Sequence, residues 1–291
     1  MRFAGAHTAL ATPFRAGAFD EAAFRSIIAG QIAGGISGII PVGTTGESPT
    51  LDHSEHMRVI EVAVEAAAKK CLVIAGTGSN STAEAIDLTL AAEKAGADAA
   101  LLVAPYYNKP SPEGLYRHFG AIAEAAKFPL VLYSIPGRCG IEIPVETTAR
   151  LAKDFKNIAA IKEAGGSVER VNQLRAALPD SFEILSGDDS LTLPFMSVGA
   201  VGVISVASNL IPAEVSAMVR HQLAGESAKA LAIHRKYYPL FKDLFIEPNP
   251  VPVKFALARR GQCTTDVRLP LCEMSAANSK RLTETLEKLG L

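Results

Sequence analysis

Short runs of apolar residues recur along the chain at intervals of about 20 to 35 positions, and glycine-rich or polar segments separate them. Several runs are apolar at every position, which is typical of parallel strands that are covered on both faces. Eight strands are therefore predicted, at residues 6–11, 38–42, 72–76, 99–104, 130–134, 159–162, 183–186 and 202–206.

Helical segments are predicted between the strands, because Ala, Leu, Glu and Arg recur there at helical spacing. They cover residues 20–34, 54–70, 81–96, 112–126, 145–154 and 167–178. Alternating strands and helices predict an α/β fold in which eight strands close into a (β/α)8 or TIM barrel. A doubly wound open sheet is the alternative, but no GxGxxG or P-loop pattern follows an early strand.

The chain continues as helices after the eighth strand. Residues 213–291 are predicted as a C-terminal helical region, which is broken at residues 247–250 and 268–270 by prolines. No Gly/Ser-rich linker separates this region from the barrel, predicted over residues 1–212. We therefore expect the C-terminal region to pack on the barrel or to form an oligomer contact.

Charge and cysteine usage narrow the classes of function. The 29 basic and 30 acidic side chains nearly balance, so neither nucleic acid nor an anionic membrane is expected as a partner. The four cysteines are scattered and form no CxxC pair, which argues against a disulfide framework and a structural zinc site. Without an export segment or an apolar run of about 18 residues, a cytoplasmic protein is expected.

Lys162 is the most informative residue, because it interrupts an apolar strand. Strand alternation places Ala160 and Lys162 on one face and Ile161 on the other, so the amine is expected to point into the barrel. Burial favours the neutral amine, which is the form that attacks a ketone to give a Schiff base. The alternatives are a lysine paired with Glu163 or Asp188, or one whose side chain turns outward to solvent.

Other polar residues follow the strands at the end of the barrel where enzymes of this fold carry their chemistry. Thr44 and Thr45 lie between glycines, where amides and hydroxyls can bind a carboxylate. The phenol of Tyr133 can relay protons, and Arg138 can hold a second carboxylate. Taken singly, the threonines also fit a plain turn, Tyr133 a core aromatic residue and Arg138 a surface cation.

Eight segments in a fixed order carry more information than any single residue. They are Thr8-Ala9-Leu10-Ala11-Thr12-Pro13-Phe14, Gly43-Thr44-Thr45-Gly46-Glu47-Ser48, Tyr106-Tyr107-Asn108-Lys109-Pro110, Tyr133-Ser134-Ile135-Pro136-Gly137-Arg138, Ile161-Lys162-Glu163-Ala164, Ser186-Gly187-Asp188-Asp189, Gly202-Val203-Ile204-Ser205-Val206 and Asn249-Pro250-Val251-Pro252-Val253-Lys254. In order and spacing these segments resemble the dihydrodipicolinate synthase family, which belongs to the class I pyruvate-dependent aldolases. The resemblance covers nearly the whole chain.

The resemblance implies condensation of pyruvate with L-aspartate 4-semialdehyde, a step of diaminopimelate and lysine biosynthesis. No metal or organic cofactor is implied, because the protonated imine itself acts as the electron sink. Lys162 would form the imine, Tyr133 would donate the proton, and Thr44 with Tyr107 would complete a hydroxyl relay. Substrate contacts are implied for Thr45, Arg138, Gly187 and Ile204.

Assembly and regulation are implied as well. Family members are usually homotetramers built from tight dimers, in which the hydroxyl matching Tyr107 reaches into the neighbouring site. Positions resembling a feedback site for lysine are Ser48, His53, His56, Asn80, Glu84 and Tyr106. The chain departs from the family pattern at Pro49, where a small residue is common, and at Ser134 and Cys139, where Asn and Thr are usual. Pro49 stiffens the backbone beside the feedback positions.

Two other functions stay open at this point. A sister pyruvate aldolase of the N-acetylneuraminate lyase type would keep Lys162 and Tyr133 but cleave a sugar acid, although Arg138 favours the condensation. A non-catalytic barrel could bind a small acid in the same pocket without turnover. Borohydride trapping with pyruvate separates that function from an enzyme, because only the enzyme gains an adduct on Lys162.

Overall fold

The computed structural model describes residues 2–291. The barrel strands are β1 Gly5–Ala9, β2 Gly38–Ile40, β3 Leu72–Gly76, β4 Ala99–Val103, β5 Leu130–Ser134, β6 Ile158–Glu163, β7 Glu183–Ser186 and β8 Gly202–Ser205. They run parallel in sequence order, and β8 pairs with β1 to close the barrel. The predicted TIM barrel is confirmed, and the strand ends agree with the prediction to within two residues.

Helices surround the barrel and extend beyond it. Within residues 2–291 they are α1 Glu21–Ala33, α2 His53–Ala67, α3 Thr82–Lys94, α4 Pro112–Ala125, α5 Pro136–Cys139, α6 Val145–Asp154, α7 Val168–Ala177, α8 Thr192–Met196, α9 Pro212–Leu223, α10 Ser227–Asp243, α11 Val251–Arg259 and α12 Ala276–Leu289. The short α5 and α8 were not predicted, because a helix of one turn has no apolar period to detect.

Side-chain caps determine where several barrel helices begin. The carboxylates of Asp20 and Asp52 accept the backbone N–H groups of Ala23 and Glu55, and serines cap α3, α4 and α7 in the same way. Each cap satisfies an N–H group that the first turn of a helix leaves free. The caps therefore set the lengths of the preceding loops, and those loops form one end of the barrel.

Two apolar layers lie on opposite faces of the strands. The larger layer packs the outer strand faces against the helices. The inner layer fills the barrel with the side chains of Ile40, Ile74, Leu101, Val131, Leu185 and Ile204, together with Tyr133. Strand alternation produces this division, and it leaves the residues at the carboxyl ends of the strands to line a cavity.

The C-terminal helices predicted from the sequence are present. Helix α9 packs against α1, β1 and β8, α10 packs on α9 and α12, and α12 also packs on α11. Buried Asp243 joins α10 to α12, because it accepts hydrogen bonds from Arg281 at 2.9 Å and from Thr285 at 2.6 Å. The division of the chain after residue 212 stays a prediction.

In residues 2–291 no helix combines the length and apolar character that crossing a membrane requires.

Candidate active site

Lys162 lies at the carboxyl end of β6 and lines a cavity of about 90 Å3 at the mouth of the barrel. Its side chain is only 7% exposed. Parallel pairing places Tyr133 of β5 directly beside it, and the amine nitrogen lies 4.1 Å from the centre of the Tyr133 ring. Alternation along β6 therefore directs the amine inward, as the sequence predicts.

Burial controls the charge of this amine. Loss of hydration lowers the pKa of Lys162 to about 7, and the positive charge of Arg138 adds to the decrease, while the negative charge of Asp189 opposes it. Neither carboxylate of the alternative interpretation neutralises the lysine. Glu163 pairs with Arg170 at 2.9 Å, and Asp188 accepts hydrogen bonds from Ser190. A large fraction of Lys162 is thus neutral at physiological pH.

Tyr133 keeps its proton at neutral pH. Burial raises the pKa of its phenol, and the adjacent Thr44 side chain and the positive charge of Arg138 only partly oppose the increase. A neutral phenol can donate one hydrogen bond and accept another. The pair of a neutral amine and a protonated phenol can therefore exchange protons with a ligand that enters the cavity.

Strained backbone precedes the two threonines. Val42 follows β2 with a φ of 51°, a left-handed conformation that costs a β-branched residue about 1–3 kcal/mol. Gly76 of β3 makes room for this turn, because a Cβ atom there would lie 2.4 Å from the Val42 carbonyl oxygen. Thr44 and Thr45, which follow Val42 after one intervening glycine, both line the cavity. Such strain is typical of functional sites.

The C-terminal region holds the turn formed by residues 43–47. The Lys254 ammonium of α11 lies 2.7 Å from the Glu47 carboxylate, and both side chains are almost completely buried. The backbone N–H of Arg268 donates to the other Glu47 oxygen at 3.0 Å. Asn249 donates from its amide to the Thr45 hydroxyl at 2.9 Å. A turn next to β2 is therefore positioned by residues about two hundred positions later.

Arg138 lies in α5 at the exposed rim and lines the cavity. The sequence predicts a loop here, whereas the structure has a single helical turn. Two of the three departures from the family pattern, Ser134 and Cys139, lie close to Arg138 in the chain. Ser134 accepts the backbone N–H of Ile143 at 3.2 Å through its hydroxyl oxygen. The Cys139 thiol is buried, and burial raises its pKa to about 11, so it stays neutral.

The other residues predicted to contact substrate or relay protons lie in three different environments. Gly187 lines the cavity beside Lys162, and a Cβ atom there would lie 3.1 Å from Cε of Lys162. Ile204 lies in the inner apolar layer of the barrel. Tyr107 is 91% exposed with a φ of 73°, so within one chain its hydroxyl is outside the cavity.

The cavity lining includes residues that were not predicted as site residues, and some of them come from late in the chain. These late residues are Val206 after β8 and, from the segment between α10 and α11, Phe245 and Asn249. Asn249 begins one of the segments that carry the family resemblance, which was the available signal. Phe245 has no such signal, because nothing in its local sequence relates it to a barrel that ends forty residues earlier.

A second cavity of about 370 Å3 adjoins the first and shares Thr44 and Arg138 with it. Five of the predicted regulatory residues line it, namely Ser48, His53, His56, Glu84 and Tyr106. The ring of His53 lies 2.8 Å from the Glu84 carboxylate. Asn80 lies beside this cavity, and its amide donates to the Tyr106 carbonyl oxygen at 3.2 Å.

Enzymes that join carbon atoms through an imine need an amine that is neutral near pH 7, and this barrel provides one in Lys162. The chain is a Schiff-base-forming lyase built on a TIM barrel. It belongs to the Dihydrodipicolinate synthetase family, whose model matches residues 2–289.

Comparison with known proteins supports this membership along the whole chain. A 4-hydroxy-tetrahydrodipicolinate synthase from Syntrophus aciditrophicus is 51% identical over 289 residues, which are 99% of both chains. The solved structure of the synthase from Methylacidiphilum fumariolicum SolV is 55% identical, with a TM-score of 0.98 over 99% of this chain and 96% of that one. A Cyanidioschyzon merolae structure with lysine bound is 43% identical, with a TM-score of 0.97 over 100% and 99% of the chains.

Proposed function

We propose that this chain condenses pyruvate with L-aspartate 4-semialdehyde to give 4-hydroxy-tetrahydrodipicolinate, a step of diaminopimelate and lysine biosynthesis. The observation that carries the proposal is the buried Lys162 amine beside Tyr133 in a small cavity at the carboxyl end of the barrel. Relatives that are 49 and 51% identical over 99% of this chain are named as synthases of this product.

The first half of the reaction makes a nucleophile from pyruvate. The neutral Lys162 amine adds to the ketone carbon, and the resulting carbinolamine loses water once its hydroxyl is protonated. Tyr133 supplies that proton, and the Thr44 hydroxyl next to it passes protons onward. The protonated imine then withdraws electrons from the methyl carbon, and the Tyr133 phenolate left by the dehydration step accepts a proton from that carbon to give an enamine.

The second half joins the two substrates. The enamine carbon attacks the aldehyde carbon, and the resulting alkoxide takes up a proton. The amino group of the second substrate then attacks the imine carbon, which closes the ring and releases the Lys162 amine. Thr45 holds the pyruvate carboxylate, and the rim guanidinium of Arg138 holds the carboxylate of the semialdehyde. Gly187 leaves room for the lysine, and Ile204 of the inner apolar layer contacts pyruvate.

A coupled assay with purified protein, pyruvate and aspartate semialdehyde tests the proposal. We expect turnover with this pair of substrates and a borohydride-trapped pyruvate adduct whose mass maps to Lys162. An adduct with turnover only on sugar acids would indicate the sister aldolase. The absence of any adduct would indicate a non-catalytic small-acid-binding barrel, and either result would contradict the proposed function.

Imine formation should depend on pH with a midpoint near 7. Below that pH Lys162 is protonated and cannot attack the ketone, and above it the amine is neutral, since burial lowers its pKa from 10.5 to about 7. Rapid mixing with pyruvate, followed by borohydride quenching between about pH 5 and 9, measures the initial rate. A rate that is still rising steeply at the upper end of this range would show that the amine is not desolvated.

We also propose that the chain assembles as a homotetramer of tight dimers. Tyr107 presents a large aromatic side chain to solvent on the rim side of the barrel, and a neighbouring subunit could receive its hydroxyl to complete the relay with Thr44. Sedimentation of the purified protein measures its assembly. A stable monomer with full turnover would contradict the contribution of Tyr107 from a neighbour.

Lysine is the proposed effector of the second cavity. Hydrogen bonds from Ser79 and His53 lower the pKa of Glu84, so its carboxylate is charged and can pair with an amino group. The shared residues Thr44 and Arg138 connect this cavity to the substrate cavity. We expect millimolar lysine to lower the initial rate and Glu84→Gln to weaken that inhibition. An unchanged initial rate contradicts the regulatory role.

The cytoplasm is the proposed location of the enzyme. All four cysteines of the described residues are free thiols, and free thiols persist in reducing compartments. Fractionation of cells that express the full chain, followed by immunodetection, tests this location.

A further inference from the structure

Asn249 makes a direct contact between the C-terminal region and the predicted substrate-binding turn. Its amide nitrogen donates to the Thr45 hydroxyl oxygen at 2.9 Å, although 204 positions separate the two residues. Asn249 is 6% exposed and Thr45 is 3% exposed, and both line the cavity that contains Lys162. The contact is therefore buried and lies at the site itself.

The direction of this hydrogen bond determines what the Thr45 hydroxyl can do. A hydroxyl group has one proton to donate and two lone pairs with which it accepts. Because the Asn249 amide group occupies a lone pair, the hydroxyl proton points away from Asn249 and is available to another acceptor. A carboxylate of the 2-oxo acid is such an acceptor, and a hydrogen bond to a charged group is among the stronger ones.

The amide oxygen of Asn249 distinguishes this residue from an asparagine whose only role is to stabilise the fold. Its Oδ1 atom is buried and has no hydrogen-bond partner among residues 2–291. Buried amide groups that hold a fold together generally use both ends. The side-chain hydrogen bond that Asn249 makes in the described structure is the one to Thr45.

The backbone of the turn has a separate support. Glu47, two residues after Thr45, is held by the Lys254 ammonium at 2.7 Å and by the Arg268 N–H group at 3.0 Å. Loss of the Asn249 amide leaves both of these interactions in place. Removing the Asn249 amide group should therefore change the orientation of the Thr45 hydroxyl and leave the position of the turn unchanged.

We propose that Asn249 is a positioning residue for pyruvate, which acts by directing the Thr45 hydroxyl proton toward the substrate carboxylate. This inference rests on the proposed function, because it assumes that pyruvate binds at Lys162. It assigns to the C-terminal region a part in substrate binding that is separate from packing and assembly.

Three single substitutions test the direction of the hydrogen bond. Asn249→Ala should raise the pyruvate KM by about tenfold, since it removes the constraint on the hydroxyl. Asn249→Asp should raise it by about a hundredfold, since a carboxylate takes the hydroxyl proton and repels the substrate. Asn172→Ala, the matched control, removes the same amide group from an exposed position on α7 outside the cavity and should change the KM by less than about twofold. With saturating pyruvate, borohydride should still label Lys162 in all three proteins.

A double-mutant cycle separates positioning from general destabilisation. In a Thr45→Val background the further change Asn249→Ala should alter the pyruvate KM by less than about twofold, because there is no hydroxyl left to orient. Thr45→Val alone removes the hydroxyl itself, and its pyruvate KM should rise about tenfold. This variant tests the inference even if an Asn249 variant proves too unstable to purify.

Two results would overturn the inference. One is additivity, in which Asn249→Ala has its full effect on KM in the Thr45→Val background. The other is a pyruvate KM that Asn249→Asp leaves unchanged. Neither resembles the failure of the proposed function, in which the unaltered protein itself would form no pyruvate adduct on Lys162.

Discussion

Lys162→Met is expected to lower the kcat/KM of the condensation by about five orders of magnitude, because removing a covalent nucleophile removes the intermediate itself. Methionine has a similar length and is apolar, so it can occupy the buried position without a charge. The coupled assay measures the loss of turnover. Peptide mass analysis after borohydride treatment with pyruvate should find no labelled lysine.

Lys153→Met is the matched control, because Lys153 is an exposed lysine near the end of α6. It should keep turnover and the adduct on Lys162.

Stability provides a second check on Lys162→Met. The native protein binds fewer protons than the unfolded chain between about pH 7 and 10.5, because burial lowers the pKa of Lys162. Wild-type stability therefore rises with pH through this window, and Lys162→Met should lack that rise. Retained condensation in Lys162→Met would contradict the mechanism.

Tyr133→Phe is expected to lower kcat by about two to three orders of magnitude, which is the usual contribution of a positioned acid or base. Phenylalanine keeps the ring that lies 4.1 Å from the Lys162 amine, so the change removes the phenol without opening the cavity. Imine formation and enamine formation should both slow. The coupled assay measures kcat, borohydride quenching measures imine formation, and deuterium exchange into the methyl group of pyruvate, followed by NMR, measures enamine formation.

Tyr237→Phe is the control for this change, since Tyr237 is a buried tyrosine on α10 that lies outside the residues lining the cavity. It removes the same hydroxyl group from a similar environment and should leave kcat within about twofold of the wild-type value. Equal rates for Tyr133→Phe and the unaltered protein would mean that another group carries the proton.

Local sequence was sufficient for the barrel and for the central lysine. Eight apolar runs predict the strands, because a strand buried on both faces must be apolar throughout. Alternation along β6 predicts the inward side of Lys162, because successive side chains of a strand point to opposite faces. The helices α5 and α8 are too short to be predicted in this way, because helical periodicity becomes visible only over several turns.

Only the tertiary structure decided the properties that depend on distant parts of the chain. The pKa of Lys162 follows from how completely the surrounding barrel excludes water, which no neighbouring residue in sequence determines. The contacts of Asn249 with Thr45 and of Lys254 with Glu47 join residues 204 and 207 positions apart. Strand order and side-chain direction are local consequences of sequence, whereas hydration and long-range contacts exist only once the chain has folded.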